Sequence, residues 1–212
     1  MFTNRKSAGR ALAEKLTKYK NAKNTLVIGL PRGGVPVAAE VAKALKLPLD
    51  ITCPRKIGAP HNPEYAIGAI TETGEGIFNE RVIRELNIPQ TYLTKAIEEE
   101  KMRAKHYIDL YRSGTPPQNL NDKTIILVDD GLATGFTMKA AIQSVKAARA
   151  KKIIVAIPVS PIETLEDMKT LVNDTISLET PFLFYAVGQF YMDFTPTTDE
   201  EVIACLTQLR HG

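Results

Sequence analysis

Cysteine is scarce: the 212 residues hold only Cys53 and Cys205. The two lie far apart and in no metal-ligand or redox spacing, so they read as reduced thiols rather than as a disulfide or a zinc site. Charge of one sign is equally thin. Lysine and arginine total 27 against 24 aspartates and glutamates, a net charge of +3. That excess is small and scattered, which argues against a nucleic-acid surface. No apolar run approaches the ~20 residues of a membrane span. The opening "MFTNRKSAGR" lacks a signal-peptide stretch. No G-x-x-x-x-G-K-[ST] string occurs, so "IILVDD" is not the Walker-B strand of a P-loop ATPase. The three histidines, His61, His106 and His211, form no metal-ligand pair with a neighbour. The expectation is a soluble, cytoplasmic protein without membrane contact.

With 44% hydrophobic residues, a chain of this length can bury a full core and sits at the upper end of a single domain. Asn4 can cap a first helix that carries Ala8, Leu12 and Leu16 at helical spacing. "NTLVIGL" is a nearly continuous apolar run, as in a strand buried on both faces. It breaks at "PRGG", and "VPVAAEVAKAL" resumes as a helix with Pro36 in its first turn. "LPLDITCP" is a second strand. "YAIGAITETGEGIFN" alternates about Thr73-Gly74-Glu75-Gly76 as a hairpin does. Residues 80–112 read as helical and highly charged, and the run Glu98-Glu99-Glu100 beside Lys101 and Arg103 as a solvated helix face. A strand, "TIILV", and a helix, "FTMKAAIQSVKAARA", follow. Then come the strand "KKIIVAIPV", the helix "PIETLEDMKTLV", an aromatic segment, and a last helix from about Asp199. Strand–helix alternation predicts an α/β fold, a parallel sheet flanked by helices on both faces. No repeat or linker divides the chain, so residues 1–212 read as one domain.

The stretch "TIILVDDGLATGFTM", residues 124–138, drives a buried strand straight into two carboxylates. In open α/β sheets ligands bind beyond the carboxyl ends of strands, where Asp129 and Asp130 would stand. Asp129 capping a turn beside a solvated Asp130 is the plainer reading. Against it, Gly131 and Gly135 allow close backbone approach. Thr137 opens a helix whose free amides favour an anion. Carboxylates accept the hydrogen bonds that vicinal sugar hydroxyls donate. The residues alone therefore leave two readings open: a structural turn, or a grip on a ribose 5-phosphate.

The string "ILVDDGLATGFT" resembles the phosphoribosyl pyrophosphate (PRPP) motif of the type I phosphoribosyltransferases. The resemblance implies that Asp129 and Asp130 hold the ribose hydroxyls, while Gly131 and the run Ala133, Thr134, Gly135, Phe136 and Thr137 wrap the 5-phosphate. The loop "GLPRGGVP" stands where the family binds pyrophosphate, which implicates Arg32, Gly33 and Gly34. A non-proline cis peptide is expected there, at Pro31–Arg32. A guanidinium beside two glycines suits a polyanion, although a lone Arg32 would read as a surface arginine. Arg55 and Lys56, in "CPRKIGAPHNPEYAIGAI", fall where family members carry a mobile loop. They could reach pyrophosphate or be an ordinary solvated pair, and His61 lies in the same loop.

Nearly the whole chain is similar to a branch of uncharacterised bacterial phosphoribosyltransferases. The resemblance also implies a small hood over the ligand end of the sheet, here the aromatic segment at approximately 180–198. Its cluster Phe182, Phe184, Tyr185, Phe190, Tyr191 and Phe194 could offer a stacking platform or simply pack as core. Phe190, Tyr191 and Asp193 are the acceptor-binding candidates, with Asp193 able to meet a ring hydrogen. Gly188 and Gln189 mark an irregular stretch suited to a pocket lining. Ala133 replaces an aspartate of the 6-oxopurine enzymes, which argues against that substrate class.

The implied activity is transfer of 5-phosphoribosyl from PRPP to a nitrogenous base with release of pyrophosphate. Arg32, Asp129 and Asp130 would be the catalytic residues. Mg²⁺ would be held mainly by PRPP, beside Asp129 and Asp130. A non-catalytic PRPP-sensing regulator is the alternative, and a homodimer is left open.

Overall fold

Apolar runs become strands and amphipathic runs become helices along most of the chain. The computed structural model describes residues 1–74 and 76–210, so Glu75 of the expected turn and His211 of the tail lie outside the described residues. In chain order the elements are α1 (Arg5–Lys15), β1 (Thr25–Gly29), α2 (Gly34–Leu45), β2 (Leu49–Ile51), β3 (Arg55–Ala59), β4 (Asn62–Ile70), β5 (Gly76–Phe78) and α3 (Glu80–Glu85). They continue as α4 (Gln90–Arg112), β6 (Thr124–Val128), α5 (Phe136–Ala147), β7 (Lys152–Val159), α6 (Ile162–Lys169), β8 (Asp174–Glu179) and α7 (Asp199–Arg210).

Five strands form a parallel sheet in the order β2-β1-β6-β7-β8. Successive side chains alternate between its faces. Val27, Ile126, Val128 and Ile154 pack with α1, α2, α7 and one side of α4. Leu26, Ile28, Ile125, Leu127 and Val155 pack against α5 and α6. Both faces are covered, which is why β1, β6 and β7 read as unbroken apolar runs. The chain leaves β1 for β2 on one side and leaves β6 for β7 on the other. The reversal places a crevice at the carboxyl ends of β1 and β6, where an open α/β sheet binds its ligand.

Asn4 caps α1 as expected: its side chain accepts from the Ser7 amide, and Ser7 reciprocates in a capping box. Two features depart from the sequence reading. The stretch after β2 is not a loop, because Arg55–Ala59 and Asn62–Ile70 pair as antiparallel strands and β5 completes a three-stranded sheet. The β4–β5 pairing confirms the hairpin. This second sheet has its own core of Ile57, Ile67, Ile70, Ile88 and Leu93 and contacts α5 through all three strands. The charged stretch over 80–112 is helical, as expected, but interrupted, giving α3 and α4. Asn87 takes a left-handed φ of 48° and Pro89 precedes α4, and proline cannot continue a helix that needs its amide. Finally, the segment Asp174–Glu179, to which the sequence reading gives no element, is the edge strand β8. No helix among the described residues is long and apolar enough to cross a membrane.

Candidate active site

Two loops meet at the crevice. Gly29 at the end of β1 lies beside Val128 at the end of β6, so "PRGG" and "DDGLATG" leave the sheet side by side. The Pro31–Arg32 peptide bond is cis, as expected. The loop then runs against the carboxylate pair: a Cβ on Gly33 would sit 2.8 Å from Asp130 Cγ, and one on Gly34 would sit 2.8 Å from Asp129 Cα. Only residues without a side chain permit this approach. The expected pyrophosphate loop and the expected ribose carboxylates are thus one packed unit.

Asp129 and Asp130 are mostly enclosed. Asp129 Oδ1 accepts from the Asp130 amide at 2.8 Å. Asp130 Oδ2 accepts from Arg5 Nε at 2.8 Å, with only 12% of the arginine side chain and 15% of the aspartate's exposed. These bonds engage Asp129 Oδ1 and Asp130 Oδ2, and the two carboxyl groups also interact with each other. Burial, followed by the neighbouring Asp130 charge, holds the Asp129 carboxyl well above the usual carboxylate range. Burial also raises Asp130, against the opposing pull of the Arg5 guanidinium.

The phosphate loop is braced from behind. Leu132 donates its amide to Val159 O at 3.0 Å, and the Thr164 hydroxyl donates to Ala133 O at 2.8 Å. Gly135 takes a φ of +73° as the N-cap of α5, with no side-chain cap on that helix. The first amides of α5, at Phe136 and Thr137, therefore stand open to an anion at the positive end of the helix dipole. Gly131 is buried against Val159 and Val187, whereas Ala133 and Thr134 are exposed.

Arg32 is half-exposed, with Nη1 3.7 Å from Asp199 Oδ1 at the start of α7. Asp199 Oδ1 also accepts from the Tyr111 hydroxyl at 2.6 Å. Tyr111 stacks on Tyr107 at 5.6 Å, and the Arg55 guanidinium lies 5.6 Å over the Tyr107 ring. Arg55 Nε also donates to Glu100 Oε2 at 2.9 Å. Arg32 and Arg55 thus stand at the two ends of one side-chain chain, Arg32–Asp199–Tyr111–Tyr107–Arg55. Lys56 is exposed on β3. Glu100 departs from the expected solvated run: it is mostly buried and holds both Arg55 and Arg103. His61 and His106 are exposed, at the β3–β4 turn and on α4.

The acceptor candidates divide. Tyr191 is buried, packs against Phe2 and Phe194, and donates its hydroxyl to Asp130 O at 2.6 Å. Its ring supports the carboxylate loop and leaves no face for a base to stack on. Phe190 stacks on Phe184 at 5.5 Å, at the end of a single 3-10 turn over Val187–Phe190. Asp193 is exposed and its carboxylate accepts from the Thr195 amide at 3.1 Å, so it serves its own turn. Phe182 is fully exposed, and Tyr185 is nearly so. Arg5, Thr164 and Asp199 belong to the site without any mark in the sequence. Each lies far along the chain from the loop it supports, and no local spacing signals it.

Residues 2–195 match the phosphoribosyl transferase domain family. A Mycobacterium tuberculosis (strain H37Rv) protein, provisionally named a phosphoribosyl transferase, is 40% identical over 206 residues, covering 97% of this chain and 46% of the relative. The same figures hold for its counterpart in strain CDC 1551, so the chain spans about half the length of the curated relatives it matches. The crystal structure of TT1426 from Thermus thermophilus is similar at 38% identity with a TM-score of 0.83, over 98% of both chains. On a domain match that covers most of its length, the chain belongs to the phosphoribosyltransferase family.

Proposed function

We propose that the protein transfers the 5-phosphoribosyl group of PRPP to the ring nitrogen of a planar base. The C1–O bond to pyrophosphate breaks, a C1–N bond forms, and the base nitrogen loses its proton. The observation that carries this reading is the packing of Gly33 and Gly34 directly onto Asp130 and Asp129. It brings a loop suited to pyrophosphate within one residue's width of a ribose grip.

The chain's own groups divide the work. The Asp129 and Asp130 carboxylates accept from the ribose hydroxyls, and the open amides at the start of α5 take the 5-phosphate. Arg32, held only at 3.7 Å by Asp199, can turn to the departing pyrophosphate and donate two hydrogen bonds. The mostly buried carboxylates also face the positive charge that develops on the ribose ring, in surroundings that screen it little. Among the described residues no group of three or more His, Cys, Asp or Glu side chains could hold a metal ion. Mg²⁺ held mainly by the oxygens of PRPP, beside Asp129 and Asp130, would supply charge neutralisation to the leaving pyrophosphate.

Ala133 gives the phosphate loop no carboxylate at that position, so a 6-oxopurine is not the acceptor proposed. The stacked Phe184 and Phe190 offer apolar ring surface near the acceptor side. The test is pyrophosphate release from PRPP·Mg²⁺ against a panel of adenine, uracil, hypoxanthine, orotate and nicotinate. One base should support turnover. Binding of PRPP without turnover on any base would favour a PRPP-sensing protein instead.

A further inference from the structure

We propose that Arg5 is a positioning residue for the ribose site: it fixes the Asp130 carboxylate toward the sugar and ties it to the Phe194–Thr195 segment on the acceptor side. This role rests on the phosphoribosyl-transfer reading above. The guanidinium makes three contacts in different directions. Nε donates to Asp130 Oδ2 at 2.8 Å, Nη1 donates to Thr195 O at 2.7 Å, and the carbon lies 3.9 Å over the Phe194 ring. A planar fork presents Nε–H and Nη1–H in two fixed directions and its face to the ring, an arrangement that the single nitrogen of an ammonium does not reproduce.

The backbone that delivers this side chain is fixed. Arg5 is the first residue of α1, directly after the Asn4 capping box. The preceding residues are bonded to the acceptor-side segment: Phe2 donates to Phe190 O and accepts from the Met192 amide, both at 2.8 Å, and Thr3 O accepts from the Asp193 amide at 3.0 Å. Asp130 is also gripped through its backbone, whose carbonyl accepts from the Tyr191 hydroxyl. Residues 2–5 and 190–195 therefore enclose Asp130 from two sides. Arg5 holds one of its carboxylate oxygens, Oδ2, and so fixes the orientation of the group at the end of β6.

A carboxylate on a loop ordinarily turns about its last torsion, and a ligand must halt that rotation on binding. Arg5 halts it in advance. The Arg5 Nε also lies 3.0 Å from where a Gly33 Cβ would stand, so the same guanidinium borders the pyrophosphate loop. A purely structural role would be met by the Thr195 and Phe194 contacts alone. The Asp130 bond adds stability as well, so a ligand-selective loss, not a loss of stability, is what distinguishes a positioning role.

The experiment is calorimetry of three ligands, PRPP·Mg²⁺, ribose 5-phosphate and pyrophosphate·Mg²⁺. The proteins are wild type, Arg5→Ala, Arg5→Lys, Asp130→Asn and the Arg5→Ala/Asp130→Asn double variant, each checked for an intact melting transition. Arg5→Ala should weaken the two ribose-bearing ligands roughly tenfold or more and leave pyrophosphate within about twofold. Adding Arg5→Ala to Asp130→Asn should cost less than about twofold further, because the two residues act as one unit. Arg5→Lys should recover part of the loss. If Arg5→Ala does not fold, Arg5→Lys carries the test as an intermediate loss confined to ribose-bearing ligands. Equal loss of all three ligands, full additivity in the double variant, or unchanged binding by a folded Arg5 variant overturns the role. A wild-type protein that binds none of the three ligands overturns the phosphoribosyl reading itself.

Discussion

Replacing the two crevice carboxylates one at a time should have opposite effects on stability. Asp129 is enclosed beside a like charge, and its carboxyl is held well above the usual range by burial first and Asp130 second. Such a group binds its proton more readily when folded than when unfolded. Stability therefore falls as pH rises from the unfolded value of about 3.9 through the folded value, and stays lowered above it. Asp129→Asn removes that burden while its amide oxygen can still accept from the Asp130 amide. It should gain about 0.5–2 kcal/mol at pH 7, the usual return when a strained functional group is relaxed. The gain should vanish near pH 3, where both forms are neutral.

Burial raises the Asp130 carboxyl too, but replacing Asp130 also leaves the mostly buried Arg5 guanidinium without its carboxylate, and that loss outweighs the relief. Removing one partner of a fully buried pair costs about 3–5 kcal/mol. The small exposure of both side chains and the surviving bond from Arg5 to Thr195 O reduce this to about 2–3 kcal/mol. In a chain of this size that is a fall in Tm of roughly 4–12 °C. Calorimetric melting at pH 7 and pH 3 reads both effects, and both variants should lose PRPP affinity. Equal destabilisation by the two, with PRPP binding unchanged, would refute the reasoning and make the pair a structural turn.

Arg32→Ala should weaken PRPP and pyrophosphate roughly ten- to a hundredfold while ribose 5-phosphate binds nearly as before, since only the first two offer a partner for the guanidinium. Calorimetry of the three ligands checks this, and uniform loss would mean that Arg32 shapes its loop instead. Gly33→Ala is expected to fold, because the residue has an ordinary helical φ of −62°, yet its Cβ would push the loop off Asp130 and abolish PRPP binding. A titration showing normal affinity would contradict the packed-loop geometry. Gly135→Ala forces a side chain into a left-handed φ of +73°, with Met168 Cε 2.9 Å from the new Cβ. It should cost about 1–2 kcal/mol in urea unfolding and weaken ribose 5-phosphate as well.

What could be read from the sequence follows how locally each feature is encoded. The run Thr124–Thr137 is contiguous, so strand, carboxylates, glycines and helix start appear in one line, and the structure assembles them in that order. The loop Pro31–Gly34 was legible for the same reason. Strand β3 was not, because Gly58, Pro60, Asn62 and Pro63 resemble a loop. They are accommodated by register shifts around Gly58, which are tertiary features. Edge strand β8 escaped because its polar residues carry no apolar run, only half-buried positions supported by β7. Arg5 and Asp130 stand 125 residues apart, and Arg32 and Asp199 are similarly distant. Such pairings are set by how α1 and α7 pack on α2 and the sheet, not by any spacing. Tyr191 is the reverse case, an aromatic that the sequence leaves open between base stacking and core packing and that its burial and hydroxyl bond place beneath the Asp130 loop.

The central claim is that the crevice between β1 and β6 grips PRPP, and calorimetric titration of the wild-type chain with PRPP tests it most directly. With Mg²⁺ present, the account predicts one saturable site per chain, weakened when the metal is chelated and lost in the Asp129→Asn/Asp130→Asn double variant. A folded protein that takes up no PRPP with Mg²⁺, or a double variant that binds it as well as the wild type, would contradict it.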